Sequence, residues 1–370
     1  MGPGVIEGIG DEVKRLGIKK ALIVTGTSAA AGRTKPLEES LEKEGVRFAI
    51  FDGVEPESRY EIVADCVEMI SHEQADLLIG MGGGSSMDIC KVSAIMATNR
   101  GPVMDYVGID LIPEPGLPTI LVPTTAGTGS EVTPIAMLSD EDEQLKKGIV
   151  SPYLYPLVAI LDPELTIGLP LHVTAGSGMD ALVHAVEAYT SINATGMTDI
   201  YCVRAIELIY NNLRIAYAKG DNIRARSAMM EGALLAGMGF ANAGVTAVHA
   251  FAFPIGAGFH IPHGVANALM FPHVIRFNVL GNLPKFAALA KPFGIPREGL
   301  DDLQTVERMI ATIDRLAEDI HIPHHLADFG VQESDIPFLA EGVMKVTRLL
   351  ANNPRTVSLK DAQIIYTAAL

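Results

Sequence analysis

Apolar and polar positions alternate on two different schedules along this chain. In the first half, short apolar runs recur at Ala21-Leu-Ile-Val-Thr25, Phe48-Ala-Ile-Phe51, Leu77-Leu-Ile-Gly-Met81, Ile120-Leu-Val-Pro123 and Leu157-Val-Ala-Ile-Leu161. Their separation of about 25 to 40 residues, with helical patterns between them, predicts βαβ units and a mostly parallel sheet. From Thr174 onward the apolar spacing is helical almost throughout, as in Ala205–Leu213 and Ala228–Ala236. The Pro-rich stretch from Leu161 to Pro170 separates the two regimes. The expected organisation is an α/β domain over residues 1–165 and an all-α domain over 166–370.

Composition narrows the possibilities. A chain of 370 residues with 48% hydrophobic residues can fill two cores. No stretch approaches the roughly 20 apolar residues of a membrane span, and the N-terminus carries no basic segment leading into an apolar run, so a soluble, cytoplasmic protein is expected. The net charge of -16 argues against a nucleic-acid partner, which needs a basic stripe. Cys66, Cys90 and Cys202 lack paired spacing and read as ordinary core residues in a reducing compartment.

The chemistry concentrates in the second half. Asp180 and His184 are four residues apart, so on a helix they project from one face and can share an ion. His249 and His263 bracket a segment rich in glycine and proline, Ala250 to Pro262, whose composition predicts a tight reversal bringing the two imidazoles together. One carboxylate and three imidazoles suit iron(II), zinc, manganese or nickel better than calcium or magnesium.

A second motif lies at the end of the third apolar run. Gly82, Gly83, Gly84 and Ser85 follow a strand and open a helix, where backbone N–H groups and the helix N-terminus favour a pyrophosphate. Thr124, Thr125, Thr128 and Ser130 form a hydroxyl-rich loop past the next strand end, where ligands of parallel sheets collect. Asp88 and Lys91, three apart on the helix, form either an ion pair or a ligand contact.

Together these segments resemble the iron-containing, or group III, alcohol dehydrogenases. The likeness runs through Gly82–Asp88, Pro123–Glu131, Leu161–Leu165, Gly178–Tyr189 and His249–Asn278, and extends weakly to Asn353-Pro-Arg355. It implies a dehydroquinate synthase-like architecture, with a dinucleotide-binding α/β domain, a helical metal-binding domain and the metal in the cleft between them. Asp180, His184, His249 and His263 would be the ligands of Fe2+, with Zn2+ as the alternative. The resemblance also sets the Gly-rich loop with Asp88 against the cofactor phosphates, the Thr-rich loop with Ser130 against the nicotinamide half, and Lys146 near the ribose. A dimer or larger homo-oligomer is implied. The reaction expected is hydride transfer between nicotinamide and a small alcohol or aldehyde, with the substrate oxygen polarised by the metal. The alternatives are a glycerol dehydrogenase-like polyol oxidoreductase and a catalytically silent nucleotide-binding protein.

Three departures from the family pattern add expectations. Gly26 stands where many members carry an acidic residue that binds the adenosine ribose, so a 2'-phosphate meets no repulsion and Thr27, Ser28, Arg33 or Lys35 can reach it. NADP(H) is therefore expected to be favoured over NAD(H). Phe253 replaces a histidine associated with the substrate proton, leaving His260 as a substitute proton carrier beside water and the ribose hydroxyls. Pro56-Glu57-Ser58 replaces a common Pro-Asn-Pro. Apolar Phe251, Phe253, Phe259 and Ile261 suggest an aliphatic rather than a polyol substrate.

Overall fold

A computed structural model of the chain describes residues 1–140 and 145–370. It divides into two compact units, Met1–Ile167 and Gly168–Leu370.

The first unit is built on five parallel strands in the order β2-β1-β3-β5-β8: β1 Lys20–Val24, β2 Arg47–Phe51, β3 Leu77–Gly82, β5 Thr119–Pro123 and β8 Val158–Ala159. All five apolar runs are strands. The central strands β1, β3 and β5 read as apolar segments because both faces are covered, whereas β2 and β8 are mostly half-buried. Alternate residues go to opposite sides. Leu22, Val24, Leu78 and Leu121 pack with Val63, Cys66 and Ile70 of α4 (Ile62–Glu73) and Met87 and Cys90 of α5 (Gly84–Met96). Ala21, Ile23, Ile79 and Val122 pack with Ile9 and Val13 of α1 (Ile9–Arg15) and Leu37 and Leu41 of α3 (Lys35–Lys43). The short α2, Thr27–Ala30, follows β1 directly. Cys66, Cys90 and Cys202 are buried and free, and burial pushes the Cys66 and Cys202 thiols up to about 12.

A second, three-stranded sheet was not anticipated from the hydrophobic pattern. β4 Gly108–Ile109, β6 Ile135–Asp140 and β7 Leu145–Val150 are ordered β4-β7-β6, with β6 and β7 antiparallel. It matters for the site because β6 packs beside α5 and carries backbone partners of its polar residues.

The second unit is helical, among the described residues without a strand: α6 Leu171–Thr190, α7 Gly196–Ala218, α8 Ile223–Ala243, α9 Ala247–Phe259 and α10 His263–Asn278, followed by further helices ending with Leu359–Ala369. No single described helix is long and apolar enough to cross a membrane. α6 is buried on nearly all sides from Thr174 to Ala188, as expected of a helix that is apolar all round. α9 corrects the expectation of a Gly- and Pro-rich reversal over 250–262. Those residues are helical despite Pro254, Gly256 and Gly258, and the turn is confined to His260-Ile261-Pro262, with His260 at φ 54. Burial of every position from Ala247 to Gly256 outweighs poor helix propensity. Near the C-terminus, Asn353 and Asn278 exchange two amide hydrogen bonds of 2.7 and 2.8 Å, and Asn353 Oδ1 also accepts from Ala247 N at the start of α9. Arg355 lies 3.9 Å over the Phe277 ring. The Asn-Pro-Arg motif thus clamps α9 to the end of α10.

Candidate active site

Three helices converge on one point of the second unit. α6 presents Asp180 and His184 one turn apart, the first turn of α9 presents His249, and the first residue of α10 is His263. Asp180 Oδ1 lies 3.8 Å from His184 Nε2 and 3.7 Å from Nε2 of both His249 and His263. Ligands bound at about 2.1 Å with tetrahedral angles stand roughly 3.5 Å apart, so these separations fit a shared divalent ion. Asp180, His184 and His249 form the tightest group, with donor atoms within 4.8 Å of one another. His263 joins through Asp180.

The hydrogen bonding supports a cation at this point. Asn267, one turn beyond His263 on α10, directs Nδ2 toward Asp180 Oδ1 at 2.7 Å, His249 Nε2 at 3.1 Å and His263 Nε2 at 3.2 Å. One amide has two N–H groups for three acceptors, while its own buried Oδ1 has no hydrogen-bond partner. A surplus of lone pairs aimed at one spot is a donor set for a metal. Burial pushes the Asp180 carboxyl up, but the three surrounding imidazoles and Asn267 outweigh this and hold it below the usual carboxylate value.

Aromatic rings surround the imidazoles. The His184 ring stacks on Phe240 at 4.4 Å and on His249 at 4.6 Å, and Phe253 lies 5.8 Å from His263. Asp180, His184 and His249 are buried, whereas the His263 side chain is 28% exposed, so the cluster is open to solvent on the His263 side.

Behind His249 is Glu187, fully buried on α6. Oε2 pairs with His249 Nδ1, and Oε1 accepts from Thr246 Oγ1 and Val248 N, each at 2.6 Å. This leaves His249 Nε2 turned toward Asp180.

In the first unit, β3 ends at Gly82 and α5 begins at Gly84. Close approach explains these glycines: a Cβ at Gly82 would lie 2.4 Å from Ser86 Oγ, and one at Gly84 3.0 Å from Thr128 Cγ2. A Cβ at Gly83 would lie 3.7 Å from Thr125 Oγ1. The Gly-rich and Thr-rich loops are therefore neighbours, and Ser28 Oγ on α2 is 3.4 Å from Thr124 Oγ1. Ser85 Oγ accepts from Glu57 N, and the Glu57 carboxylate pairs with Lys146 at 3.2 Å.

Asp88 and Ser130 point inward to each other. Ser130 Oγ donates to Asp88 Oδ1 at 2.6 Å, and Met137 N donates to Asp88 Oδ2 at 2.9 Å. Lys91 Nζ, fully buried, donates to Ser130 Oγ at 2.8 Å, Ile135 O at 2.9 Å and Thr133 O at 3.0 Å, with Asp88 only 4.0 Å away. Burial pulls Lys91 down to about 8 and pushes the buried Glu131 up to about 7. Because the folded-state value of Glu131 lies above its ordinary 4.5, its contribution to stability is fully present below pH 4.5 and is lost as pH rises through 7. Glu131→Gln is therefore expected to gain stability over the parent between pH 5 and pH 8, by at most about 3 kcal/mol. Urea midpoints at the two pH values check this; an unchanged difference rejects the assignment.

Comparison with known proteins places this arrangement. Residues 1–163 match the model of iron-containing alcohol dehydrogenases, and residues 174–370 match that of the C-terminal part of the Fe-containing alcohol dehydrogenase family. The chain belongs to the iron-containing alcohol dehydrogenase family. It is 43% identical to the 1,3-propanediol dehydrogenase of Klebsiella pneumoniae, covering 100% of this chain and 96% of that protein. It is 37% identical to the lactaldehyde reductase of Escherichia coli K12, again covering 100% and 96%. Among solved structures, a 1,3-propanediol oxidoreductase superposes with TM-score 0.96 at 42% identity over 100% of this chain and 96% of that one. The NADH-dependent butanol dehydrogenase A of Thermotoga maritima superposes with TM-score 0.90 at 27% identity, over 100% and 95%.

Within this member of the family, the structure brings together Asp180, His184, His249 and His263, and separately the Gly-rich and Thr-rich loops. His260 is exposed at the end of α9. Phe251 and Ile261 are core residues, Phe251 packing on Tyr366, while the Phe253 ring neighbours those of His249 and His263. Gly26 has a steric cause, since a Cβ there would lie 2.1 Å from Val54 O. Glu187 and Asn267 were missed. Both carry a readable signal: Glu187 continues the 180, 184 helical face at i+7, and Asn267 stands at i+4 from His263.

Proposed function

We propose that this protein is a metal-dependent, nicotinamide-linked alcohol dehydrogenase and aldehyde reductase acting on small aliphatic substrates. The observation that carries this reading is the convergence of Asp180 and three imidazole Nε2 atoms on one point with more lone pairs than N–H donors. Iron(II) held there, or zinc in its place, supplies Lewis acidity toward the substrate oxygen. Asp180, His184, His249 and His263 hold the ion, while Asn267 keeps the Asp180 carboxylate oriented. Phe240 and Phe253 exclude water and favour an alkyl chain near the reacting carbon. In the first unit, backbone N–H groups at Gly83 and Gly84 and the start of α5 receive the cofactor pyrophosphate, with Thr124, Thr125 and Thr128 lining the neighbouring loop. Gly26 supplies no carboxylate against a 2'-phosphate, so NADPH is accepted, and in preference to NADH.

The test is oxidation of NADPH and, separately, NADH by protein reconstituted anaerobically with iron(II), against propanal, butanal and dihydroxyacetone. Turnover is expected to vanish on chelation, to run faster with NADPH, and to favour the aldehydes. Strict NADH dependence would overturn the Gly26 argument, and faster reduction of dihydroxyacetone would transfer the chain to the polyol oxidoreductases.

A further inference from the structure

We propose that Glu187 is the positioning residue of the metal centre, fixing the His249 tautomer and delivering a second negative charge to the ion through that imidazole. The inference rests on the metal-centre reading above. Glu187 is completely buried, and among the described residues its one ionic partner is His249. A buried carboxylate without a lysine or arginine costs several kcal/mol unless other donors compensate it. Here the donors are Thr246 Oγ1, Val248 N and His249 Nδ1, all from the turn and first residues of α9.

Each bond has a consequence for the site. A free imidazole can present either nitrogen, and its ring can turn about the Cβ–Cγ bond. With Nδ1–H donating to Glu187, the proton sits on Nδ1, and Nε2 is left as the lone pair 3.7 Å from Asp180 Oδ1. Val248 N is one of the N-terminal helix groups that the helix itself cannot satisfy, so the same carboxylate holds α9 to α6 and sets where His249 starts. Charge completes the argument. Asp180 contributes one negative charge directly and Glu187 a second through His249, which together match a divalent ion. A purely structural role as an N-terminal acceptor for α9 would need Thr246 and Val248 but not the contact with Nδ1.

Measuring the Kd for Co2+ by competition with a chelating dye separates these roles. The set comprises the parent, Glu187→Gln, His249→Ala and the double variant, with the thermal unfolding of each apo form recorded alongside. Gln keeps the volume but offers one acceptor oxygen to three donors. Glu187→Gln is expected to weaken Co2+ roughly 10- to 100-fold, to alter the Co2+ visible spectrum, and to cost nothing further once His249 is Ala. Equal weakening with and without His249, or an unchanged Kd with only a lower unfolding temperature, would overturn the proposal and leave Glu187 as a helix cap. Failure of the parent itself to bind Co2+ would instead bring down the metal-centre reading on which the proposal stands.

Discussion

Asp180→Asn is expected to lower kcat/KM by at least about three orders of magnitude and to leave the protein with little bound metal after iron(II) reconstitution. The reason is positional. Among the described residues Asp180 is the carboxylate that faces all three imidazoles, with Oδ1 within 3.8 Å of each Nε2. Replacing it by an amide removes the negative charge, and if the amide turns its NH2 inward it presents a donor to Asn267 Nδ2, also a donor. The fold should survive. α6 stays buried from Thr174 to Ala188 whatever occupies position 180, and the parallel sheet belongs to the other unit. The apo variant should therefore unfold within about 4 °C of the parent. Dinucleotide binding, followed by fluorescence, should be unchanged because the Gly82–Ser85 turn is intact. Full metal retention, or a parallel loss of dinucleotide affinity, would show that Asp180 does something other than hold the ion.

Which parts of this molecule can be read without coordinates follows from how each part is buried. The central parallel strands stand out because both faces are covered, so Ala21–Val24 and Leu77–Ile79 are apolar at every position. The three-stranded sheet does not. β4 is two residues long, β6 alternates buried with half-buried residues, and β7 carries Lys146 and Lys147, so none forms an apolar run. α9 is hidden for the opposite reason: Pro254, Gly256 and Gly258 argue locally for a turn, and only the surrounding burial makes the segment a helix. In the site, Asp180 and His184 are visible from their i,i+4 spacing. His249 and His263 are visible through their residue type and the family resemblance. Glu187 and Asn267 share the same spacings but not a ligand's role, and what they do emerges only when helices distant in sequence are packed together. Gly26 shows the converse hazard. Its departure from the family pattern suggests cofactor selection, yet Val54 O already leaves no room for a side chain. An acidic side chain could not be introduced at Gly26 without moving the 52–55 loop, so close backbone approach by itself accounts for the glycine.

Gly264 offers the sharpest link between helix packing and chemistry, and Gly264→Ala is the second substitution expected to be severe. A Cβ at Gly264 would lie 2.1 Å from Gly176 O and 2.6 Å from Gly176 C. Both are backbone atoms of α6, so no side-chain rotation relieves the contact. Restoring a separation of 3.0 Å, the shortest that real Cβ atoms show, requires α10 to retreat by about 1 Å, the difference between 3.0 and 2.1. His263 precedes Gly264 directly and Asn267 follows one turn later, whereas Asp180 is carried by α6. The same retreat therefore lengthens the 3.7 Å His263–Asp180 separation and the 2.7 Å Asn267–Asp180 hydrogen bond together. Overpacking of this kind costs about 1–3 kcal/mol or more, and metal affinity should fall at least tenfold besides. Gly176→Ala is the matched control on the other side of the contact. Its Cβ would meet only Val265, at 3.8 Å, and alanine is the better helix former by roughly 1 kcal/mol, so stability should hold or rise and metal binding should persist. Urea unfolding and Co2+ titration of the two variants decide the matter. If they behave alike, the close approach of α6 and α10 is not what holds His263 against Asp180.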